Sequence, residues 1–464
     1  MTTNADEIIL DIPFGDFDYL IRQDIETLPR AQLRRHLAAR SLDDEGTRLE
    51  LSNRLQESLD EENREKQRLK EEYERRFREM AALEEQGAVY VCGRNDKGQL
   101  GLGDFIGRKT FTVIPFTRGL FIERVVTTNN ITFAVSKSKT VYSWGSTCLD
   151  AVLKEPLFAT PYLIESLNEE DIRQVAVGAT FAIGLNEHGD IYTWGIQARF
   201  ESDISLGTPD LELTCVQKNI QSLSSGKRHW CAIDSVERLY TCGHSGLGPH
   251  GTVSWIPRLL PISEKIRLVA CGAEHTLCSS GNRTFAFGDN DGGRLGLGDK
   301  EQKNEICEIE SLRGVEILDL SAGTWHSACI GVMPPLHNCG FLYTWGSGYA
   351  GQLAQGDTMI SLVPTIVPFF ARGEVYAKKI FCGSHHNAVI SKDGKMFTWG
   401  LNEQGCLGRK IRDERNEFVS KPGLVEGFGS KVDGIGRGIP KSIALGKGYT
   451  IVCTMNYNEP PEST

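Results

Sequence analysis

The chain has 464 residues, a net charge of −10 and 13 cysteines. A chain this acidic has no overall attraction for nucleic acid, so DNA binding would need a local basic patch. The cysteines form no Cys-x-x-Cys pair, which argues against a zinc ribbon or disulfide framework and predicts a reduced intracellular protein with buried thiols at Cys231, Cys242, Cys329 and Cys453.

Residues 1–23 are an N-terminal extension without the features of a secretory signal, and no apolar run in the chain approaches the length of a membrane span. From residue 24 the apolar pattern takes a helical period. It predicts two helices joined near Gly46 and Thr47. The leucines expected on their buried faces are Leu28, Leu33, Leu37, Leu42, Leu49, Leu51 and Leu55.

The spacing over residues 24–58, L-x4-L-x3-L-x4-L-x3-G-T-R-x-E-L-x2-R-L, resembles the SAP module, a small helical motif of chromatin proteins. The resemblance implies binding of AT-rich DNA by Arg34, Arg35, Gly46, Thr47 and Arg48. The chain departs from the motif at Ser41, where a glycine is usual. Six arginines stand against seven acids in this segment, a poor balance for contacts to phosphate. A protein-docking or purely structural role is therefore the favoured alternative.

Residues 59–86 contain no glycine or proline and are rich in charged residues, so we predict that they form one charged helix. Glu71 and Arg75 are one of several acid–base pairs four residues apart, in the favoured order. An apolar stripe runs along the helix through Leu69, Tyr73, Phe77, Met80 and Leu83. The stripe must pack against the following domain, a second copy or a partner. Because no heptad pattern runs through 59–68, a long coiled coil is not predicted.

Residues 87–455 repeat a phrase of the form VYSWG at intervals of 45 to 58 residues. Its terminal glycines are Gly93, Gly145, Gly195, Gly243, Gly288, Gly346 and Gly400. A second phrase, such as VACGAEHTLCS at 269–279, precedes most copies. Each unit alternates strands with tight turns, and seven such units predict an all-β, seven-bladed propeller after the helical N-terminal segment. Residues 456–464 remain as a C-terminal tail.

The first copy, VYVCGRNDKGQLGLGD at 89–104, is rich in glycine but has no helix pattern behind it, so it is not a phosphate-binding loop. Over 88–455 the two phrases resemble the repeats of the regulator of chromosome condensation family. The loops after Gly145, Gly195 and Gly243 depart from the repeat. The last strand lacks a following partner and the first lacks a preceding one, so we expect 448–455 to pair with 88–93 and close the ring.

Four histidines recur at one strand position: His229, His275, His326 and either His385 or His386. Repeat histidines bonded to the backbone are the favoured interpretation over a ring of metal ligands, because Ile131 and Phe181 occupy the same position in other copies. Tryptophans 144, 194, 345 and 399 are predicted in the core. A tryptophan-based light sensor would need more tryptophans than the remaining Trp230, Trp255 and Trp325. No catalytic motif or cofactor site is predicted, and hence no enzyme.

The sequence thus predicts a non-catalytic scaffold that binds proteins through the propeller faces and the rod-like helix, within a cytoskeletal, ciliary or signalling assembly. The alternative, implied by the family resemblance, is a guanine-nucleotide exchange factor for a Ran-type GTPase, held on chromatin in the nucleus by the SAP-like module. The least repeat-like segments are predicted to contact partners: the insert at 333–340 and the loop with Arg412, Asp413, Glu414 and Arg415.

Overall fold

The computed structural model describes residues 29–39, 42–61, 64, 68, 88–146, 157–195, 214–244, 254–333, 340–411, 417–429 and 437–455. Contacts divide the chain into two compact units, Met1–Ala81 and Ala82–Thr464. In the first unit, helix α1 spans Arg30–Ala39 and helix α2 spans 48–61. Neither helix, nor any other in the described parts of the chain, is long and apolar enough to cross a membrane.

The two helices pack through leucines, as the periodicity predicts. Leu33 and Leu37 of α1 and Leu51 and Leu55 of α2 are fully buried together. Leu49 was predicted on the same face, and this is wrong, because its side chain is 71% exposed. At 100° per residue, a position two before Leu51 points to the opposite side of the helix. Leu28 and the stripe at 69–83 lie outside the described residues.

The described parts of the second unit contain 28 strands. In chain order these are β1 Val89–Gly93, β2 Arg108–Val113, β3 Ile122–Thr128, β4 Ile131–Ser136, β5 Val141–Ser146, β6 Leu157–Leu163, β7 Ile172–Val177, β8 Phe181–Asn186, β9 Ile191–Gly195, β10 Thr214–Gln217, β11 Ile220–Ser225, β12 His229–Asp234, β13 Leu239–Gly243, β14 Ser254–Leu259, β15 Leu268–Cys271, β16 His275–Ser279, β17 Thr284–Gly288, β18 Lys303–Glu308, β19 Glu316–Ala322, β20 His326–Val332, β21 Phe341–Gly346, β22 Ser361–Ile366, β23 Ala377–Cys382, β24 His386–Ser391, β25 Met396–Leu401, β26 Phe418–Val425, β27 Ile439–Leu445 and β28 Tyr449–Met455.

These strands form seven four-stranded antiparallel sheets, the blades of the predicted propeller. Blades 1 to 6 take consecutive strands, from β3–β6 in blade 1 to β23–β26 in blade 6, and their innermost strands are β3, β7, β11, β15, β19 and β23. Blade 7 has the order β2-β1-β28-β27, with β27 innermost. Contacts of β3 with both β27 and β7, and so on around the ring, close the circle.

Blade 7 joins the two ends of the propeller, which confirms the predicted pairing. Strand β28 runs antiparallel to β1, with Val89 opposite Cys453 and Gly93 opposite Tyr449. The amide of Thr454 donates to the carbonyl of Ala88 at 3.0 Å, which extends the pairing by one residue. Because the first and last strands of the domain lie side by side inside one sheet, neither is left as an exposed edge.

Two kinds of loop lie on one side of the ring, which we call the loop face. They are the turns between the first and second strands of each blade and the long loops between the third and fourth strands. In the first long loop, Asn95 Oδ1 accepts from Leu100 N at 2.9 Å and Asn95 Nδ2 donates to Asp104 O at 2.9 Å. Asn290 makes the same two bonds in blade 4. The glycine-rich phrase is thus a side-chain-braced turn, as predicted.

The buried tryptophans of the repeat fasten neighbouring blades to each other. Trp144 Nε1 donates to the carbonyl of Gln99 at 2.9 Å, although the two residues belong to adjacent blades. Trp345 and Trp399 make the same bond to Arg294 and Gln352. The predicted core position of these residues is confirmed, as is that of Trp194. The four cysteines predicted to be buried are also in the core, with free thiols.

Side chains of the innermost strands add a further bond between blades, and one of them is an acid. Asp319 Oδ2 accepts from Ile380 N of the next blade at 2.8 Å, and Ser442 makes the equivalent bond to Val125 N at another interface. Burial raises the pKa of Asp319 to about 6, although this bond and nearby Lys379 act in the other direction. The folded protein therefore holds the proton more tightly than the unfolded chain does.

We expect Asp319→Asn to stabilise the propeller above pH 6. Asparagine keeps an acceptor oxygen for Ile380 N but carries no charge, and the raised pKa corresponds to about 1–3 kcal/mol that ionisation costs the folded state. The gain in free energy of unfolding should shrink as the pH falls from about 6 to about 4, and it should vanish below about 4, where the aspartate is protonated in both the folded and the unfolded chain. Asp234→Asn is the control and should destabilise, because hydrogen bonds from Arg238 lower the pKa of Asp234 despite its burial. Urea titrations at pH 7.5 and at pH 5 measure both variants, and the gain from Asp319→Asn should be smaller at pH 5.

Candidate functional site

A cavity of about 450 Å³ lies at the centre of the loop face. The turns between the first and second strands line it in six of the seven blades, and blade 2 contributes Val177 at the end of β7; we call it the axial cavity. One residue from each blade in ring order gives its outline: Asn129, Val177, Lys227, Glu274, Thr324, His385 and Lys447. Backbone bonds link these turns, for example from Ala179 N to Lys227 O and from Lys227 N to Ala273 O, both at 2.9 Å. Hydrogen bonds between neighbouring blades therefore hold the lining of the cavity in place.

The repeated histidines lie directly below these turns, at the first residue of the second strand in blades 3 to 6. Each side chain reaches into the next blade. His229 Nε2 lies 2.8 Å from Thr276 Oγ1, and His275 Nε2 lies 2.9 Å from Ser327 Oγ. The prediction that these histidines bond to the backbone is wrong for His229, His275 and His326, because the neighbouring blade offers each a side-chain partner, whereas His386 also bonds the backbone of Tyr449. His386, not His385, holds the repeat position.

The partner is always the residue after the equivalent position in the next blade. His326 Nε2 bonds Asn387 Oδ1 at 2.7 Å, and His386 Nε2 bonds Thr450 Oγ1 at 3.0 Å. Where the position is apolar, as at Phe181, the corresponding residue is apolar too, and Phe181 packs in one core cluster with Trp230. Polar residues at this position thus face polar partners in the next blade, and apolar residues face apolar partners.

The hydrogen bonds fix which imidazole nitrogen carries the proton. Ser327 Oγ donates to the carbonyl of Arg294 at 2.7 Å, so it must accept from Nε2–H of His275. The Nδ1 atoms of His229, His275 and His326 are buried with no hydrogen-bond partner. A second proton there would be a buried donor without an acceptor. Accordingly, burial lowers the pKa of His229 and of His326 to about 4.

This arrangement leaves the histidines a structural role. The described residues contain no group of three or more His, Cys, Asp or Glu side chains placed to hold a metal ion. Each ring also packs against the glycine three residues before it. A Cβ on Gly272 would lie 2.2 Å from Cε1 of His275, and one on Gly323 would lie 2.6 Å from Cε1 of His326. The G-x-x-H phrase of the repeat is thus a packing requirement.

Arg294 is the residue of the axial cavity that the sequence analysis missed. Only 1% of it is exposed, and its guanidinium stacks on the Trp325 ring with 4.4 Å between Cζ and the ring centre. Nε donates to Asp291 O at 2.8 Å and Nη1 donates to Thr324 O at 3.0 Å. Nη2 has no partner. The signal was visible: DGGRLGLGD carries an arginine where the first copy, DKGQLGLGD, has Gln99.

Large apolar side chains are exposed on the loop face, in or at the end of the loops between the third and fourth strands of the neighbouring blades 5, 6 and 7. We call this set the apolar rim; it consists of Phe105, Ile106, Tyr349, Met359, Ile360 and Phe418. Ile106 and Met359 occupy equivalent turns, in which an aspartate two residues earlier accepts their backbone N–H. The equivalent residue of blade 4 is Glu301. Tyr349 meets the His385 ring at 5.3 Å, which connects the rim to the cavity.

The DNA-contact residues implied by the SAP-like pattern lie in α1 and at the start of α2. Arg34 Nε pairs with Asp44 Oδ2 at 3.1 Å, so one of the acids before the link already neutralises it. Arg48 is exposed in the first turn of α2. The side chain of Arg35 lies outside the described part of the protein. Of these arginines, the structure thus shows Arg34 paired with an acid and Arg48 exposed.

Thr47 and Gly46 shape the start of α2. Thr47 N donates to Glu50 Oε2 at 2.7 Å and Glu50 N donates to Thr47 Oγ1 at 3.4 Å, the reciprocal bonds of a capping box. A Cβ on Gly46 would lie 2.8 Å from the same carboxylate oxygen. Both residues thus have a structural task, and DNA binding by this segment stays a prediction. The predicted partner loop with Arg412, Asp413, Glu414 and Arg415 lies outside the described residues, as does most of the insert at 333–340.

Comparisons with known proteins agree with this architecture. The family described as the regulator of chromosome condensation (RCC1) repeat matches residues 86–135, 282–330, 340–390 and 393–453, and a second form of the repeat matches 377–406. The ultraviolet-B receptor UVR8 of Arabidopsis thaliana is 29% identical over 347 residues, which cover 70% of this chain and 76% of the receptor. The human E3 ubiquitin-protein ligase HERC2 is 27% identical over 380 residues, 77% of this chain but only 8% of the ligase.

Among solved structures, Prp20p from Saccharomyces cerevisiae superposes with a TM-score of 0.66 at 18% identity, over 81% of this chain and 92% of that one. Its structure was described together with its binding properties to Gsp1p and histones. At this identity the likeness concerns the fold. The chain therefore carries RCC1 repeats in these four stretches, and its blades close into a ring of seven.

Proposed function

We propose that the protein is a non-catalytic scaffold that binds a protein partner through the loop face of its propeller. The apolar rim carries this proposal: large apolar side chains of three neighbouring blades are exposed on the same side of the ring as the axial cavity, and exposed apolar surface of this kind marks an interaction site. Their turns are braced by side-chain bonds, so the rim is presented without a large ordering cost on binding.

Two charge-introducing variants test this face. Met359→Asp alters the rim, whereas Val236→Asp alters an exposed apolar residue in a hairpin on the opposite side of the ring. We expect Met359→Asp to lose at least 80% of the proteins that the wild-type chain enriches in quantitative affinity capture from its own cells. Val236→Asp should retain them. Equal retention by both variants would place the partner elsewhere on the molecule.

A second candidate is guanine-nucleotide exchange on a Ran-type GTPase. The likeness to Prp20p, described with its binding to Gsp1p, favours it. Exchange requires a protein to grip the GTPase and distort its nucleotide site, and therefore needs no catalytic residue of its own. Sub-stoichiometric protein should then accelerate release of labelled GDP from a Ran-type GTPase at least tenfold, while a scaffold leaves the basal rate unchanged. The Met359→Asp variant shows whether any acceleration uses the loop face.

A further inference from the structure

Arg294 lowers the stability of the fold, because its charge is buried. Its guanidinium is almost fully buried, and its closest acid, Asp289, lies 3.8 Å from Nη1 with a side chain that is 42% exposed. Nη2 has no hydrogen-bond partner. Burial also lowers the pKa of Arg294, although the nearby acids Asp289, Asp291 and Glu274 act in the other direction. A buried cation with a vacant donor is costly unless something else completes its coordination.

The scaffold does not need an arginine at this position. Blades 7 and 5 place Gln99 and Gln352 there, and in all three loops the contact with the next blade uses the backbone carbonyl, which accepts from a tryptophan indole. The side chain is thus available for another purpose. It lines the axial cavity, stacked on Trp325.

Two further cations stand at the cavity. Lys227 and Lys447 are exposed in the turns of blades 3 and 7. The acids that line the cavity are Glu274 and Asp289, which leaves a net charge of +1. His385 adds a neutral group, because burial and nearby Lys447 lower its pKa, and its Nε2 has no partner. On a chain with a net charge of −10, this is a local reversal of sign.

We propose that the axial cavity is a carboxylate-binding site, with Arg294 as its principal cation, that receives an acidic side chain of the protein partner. A guanidinium presents its donors in a flat fork that matches a carboxylate, and Nη2 is the vacant donor of that fork. Tyr349 of the apolar rim contacts His385 of the cavity lining, so the partner segment would combine an acidic residue with apolar neighbours. This inference rests on the proposed function of the loop face.

A capped tetraglutamate peptide, titrated calorimetrically into the full chain at low ionic strength, is the probe. Arg294→Gln should weaken its binding at least tenfold and should fold, since Gln99 and Gln352 show that glutamine suits this loop. Arg409→Gln is the matched control: Arg409 is half-buried in a loop of blade 6, has an unpartnered Nε, and does not line the cavity. It should bind as the wild type does. Asp289→Asn should tighten binding several-fold by removing the competing acid.

Failure of the tetraglutamate to bind, or equal binding by the wild type and Arg294→Gln, would overturn the inference. Tighter binding of inorganic phosphate than of the peptide, lost in Arg294→Gln, would overturn the assignment to a carboxylate. Because the titration uses no cellular partner, it can fail while Met359→Asp still abolishes capture, and the reverse also holds. The site inference and the proposed function are therefore judged separately.

Discussion

Replacing Gly93 with alanine is expected to lower the free energy of unfolding of the propeller by about 3–5 kcal/mol. Gly93 has a φ of +102° and sits opposite Tyr449 in the pairing that closes the ring. A Cβ there would lie 2.4 Å from the carbonyl oxygen of Gly448 and 2.7 Å from Cα of Tyr449. Both neighbours are backbone, so β28 must move away from β1 to make room.

Gly298→Ala is the matched control for this prediction. Gly298 also has a positive φ, of +87°, in a repeat loop, but nothing lies within 4 Å of a Cβ placed on it. It should cost only the backbone strain, about 1 kcal/mol. Urea unfolding followed by tryptophan fluorescence and circular dichroism measures both variants. Limited proteolysis should release the C-terminal strand early in Gly93→Ala only. Equal losses of stability would mean that the closing pair does not limit the stability of the ring.

The architecture could be read from the sequence because it depends on spacing. Glycines recurring at 45 to 58 residues fix the number of blades, and the unpaired phrases at the two ends imply that Gly93 and Tyr449 meet. The leucine pattern alone did not separate Leu49 from Leu51. Two leucines that are two residues apart in a helix cannot both face the same neighbouring helix, and only Leu51 is buried.

The partners of the repeated residues were harder to predict, because each interaction joins two different repeats. The hydrogen bonds of the repeated histidines can be predicted only by comparing successive copies, for example His229 with Thr276 of the next copy, because the partner does not lie on the histidine's own strand. Likewise, Arg294 is visible as a change from glutamine, but its stacking partner Trp325 belongs to blade 5. Single-repeat comparison finds the pattern of a propeller. Its interfaces and its cavity are found by comparing each repeat with its successor.

Acid should unfold the propeller at a pH well above that at which most carboxylates are protonated. Burial lowers the pKa of His229 and of His326 to about 4, and that of His386 to about 3. Between pH 6.5 and these values the unfolded chain binds protons that the folded chain refuses. The stability from these neutral histidines is thus fully present above pH 6.5 and lost as the pH falls.

From pH 7 to pH 5 each of these three histidines should remove about 2 kcal/mol from the free energy of unfolding, and Asp319, whose pKa is shifted upward, should return about 1 kcal/mol. Burial also lowers the pKa of His275, so the net loss is at least about 5 kcal/mol, a large part of the stability of an ordinary domain. His229→Phe, which uses the residue that blade 2 has at Phe181, should reduce the pH-dependent loss by about 2 kcal/mol whatever its effect at pH 7. His188→Gln, at an exposed hairpin, should leave the loss unchanged. Urea titrations across this range test the prediction. If the free energy of unfolding does not change between pH 7 and 5, or changes equally in the wild type and His229→Phe, protonation of the repeated histidines does not destabilise the fold.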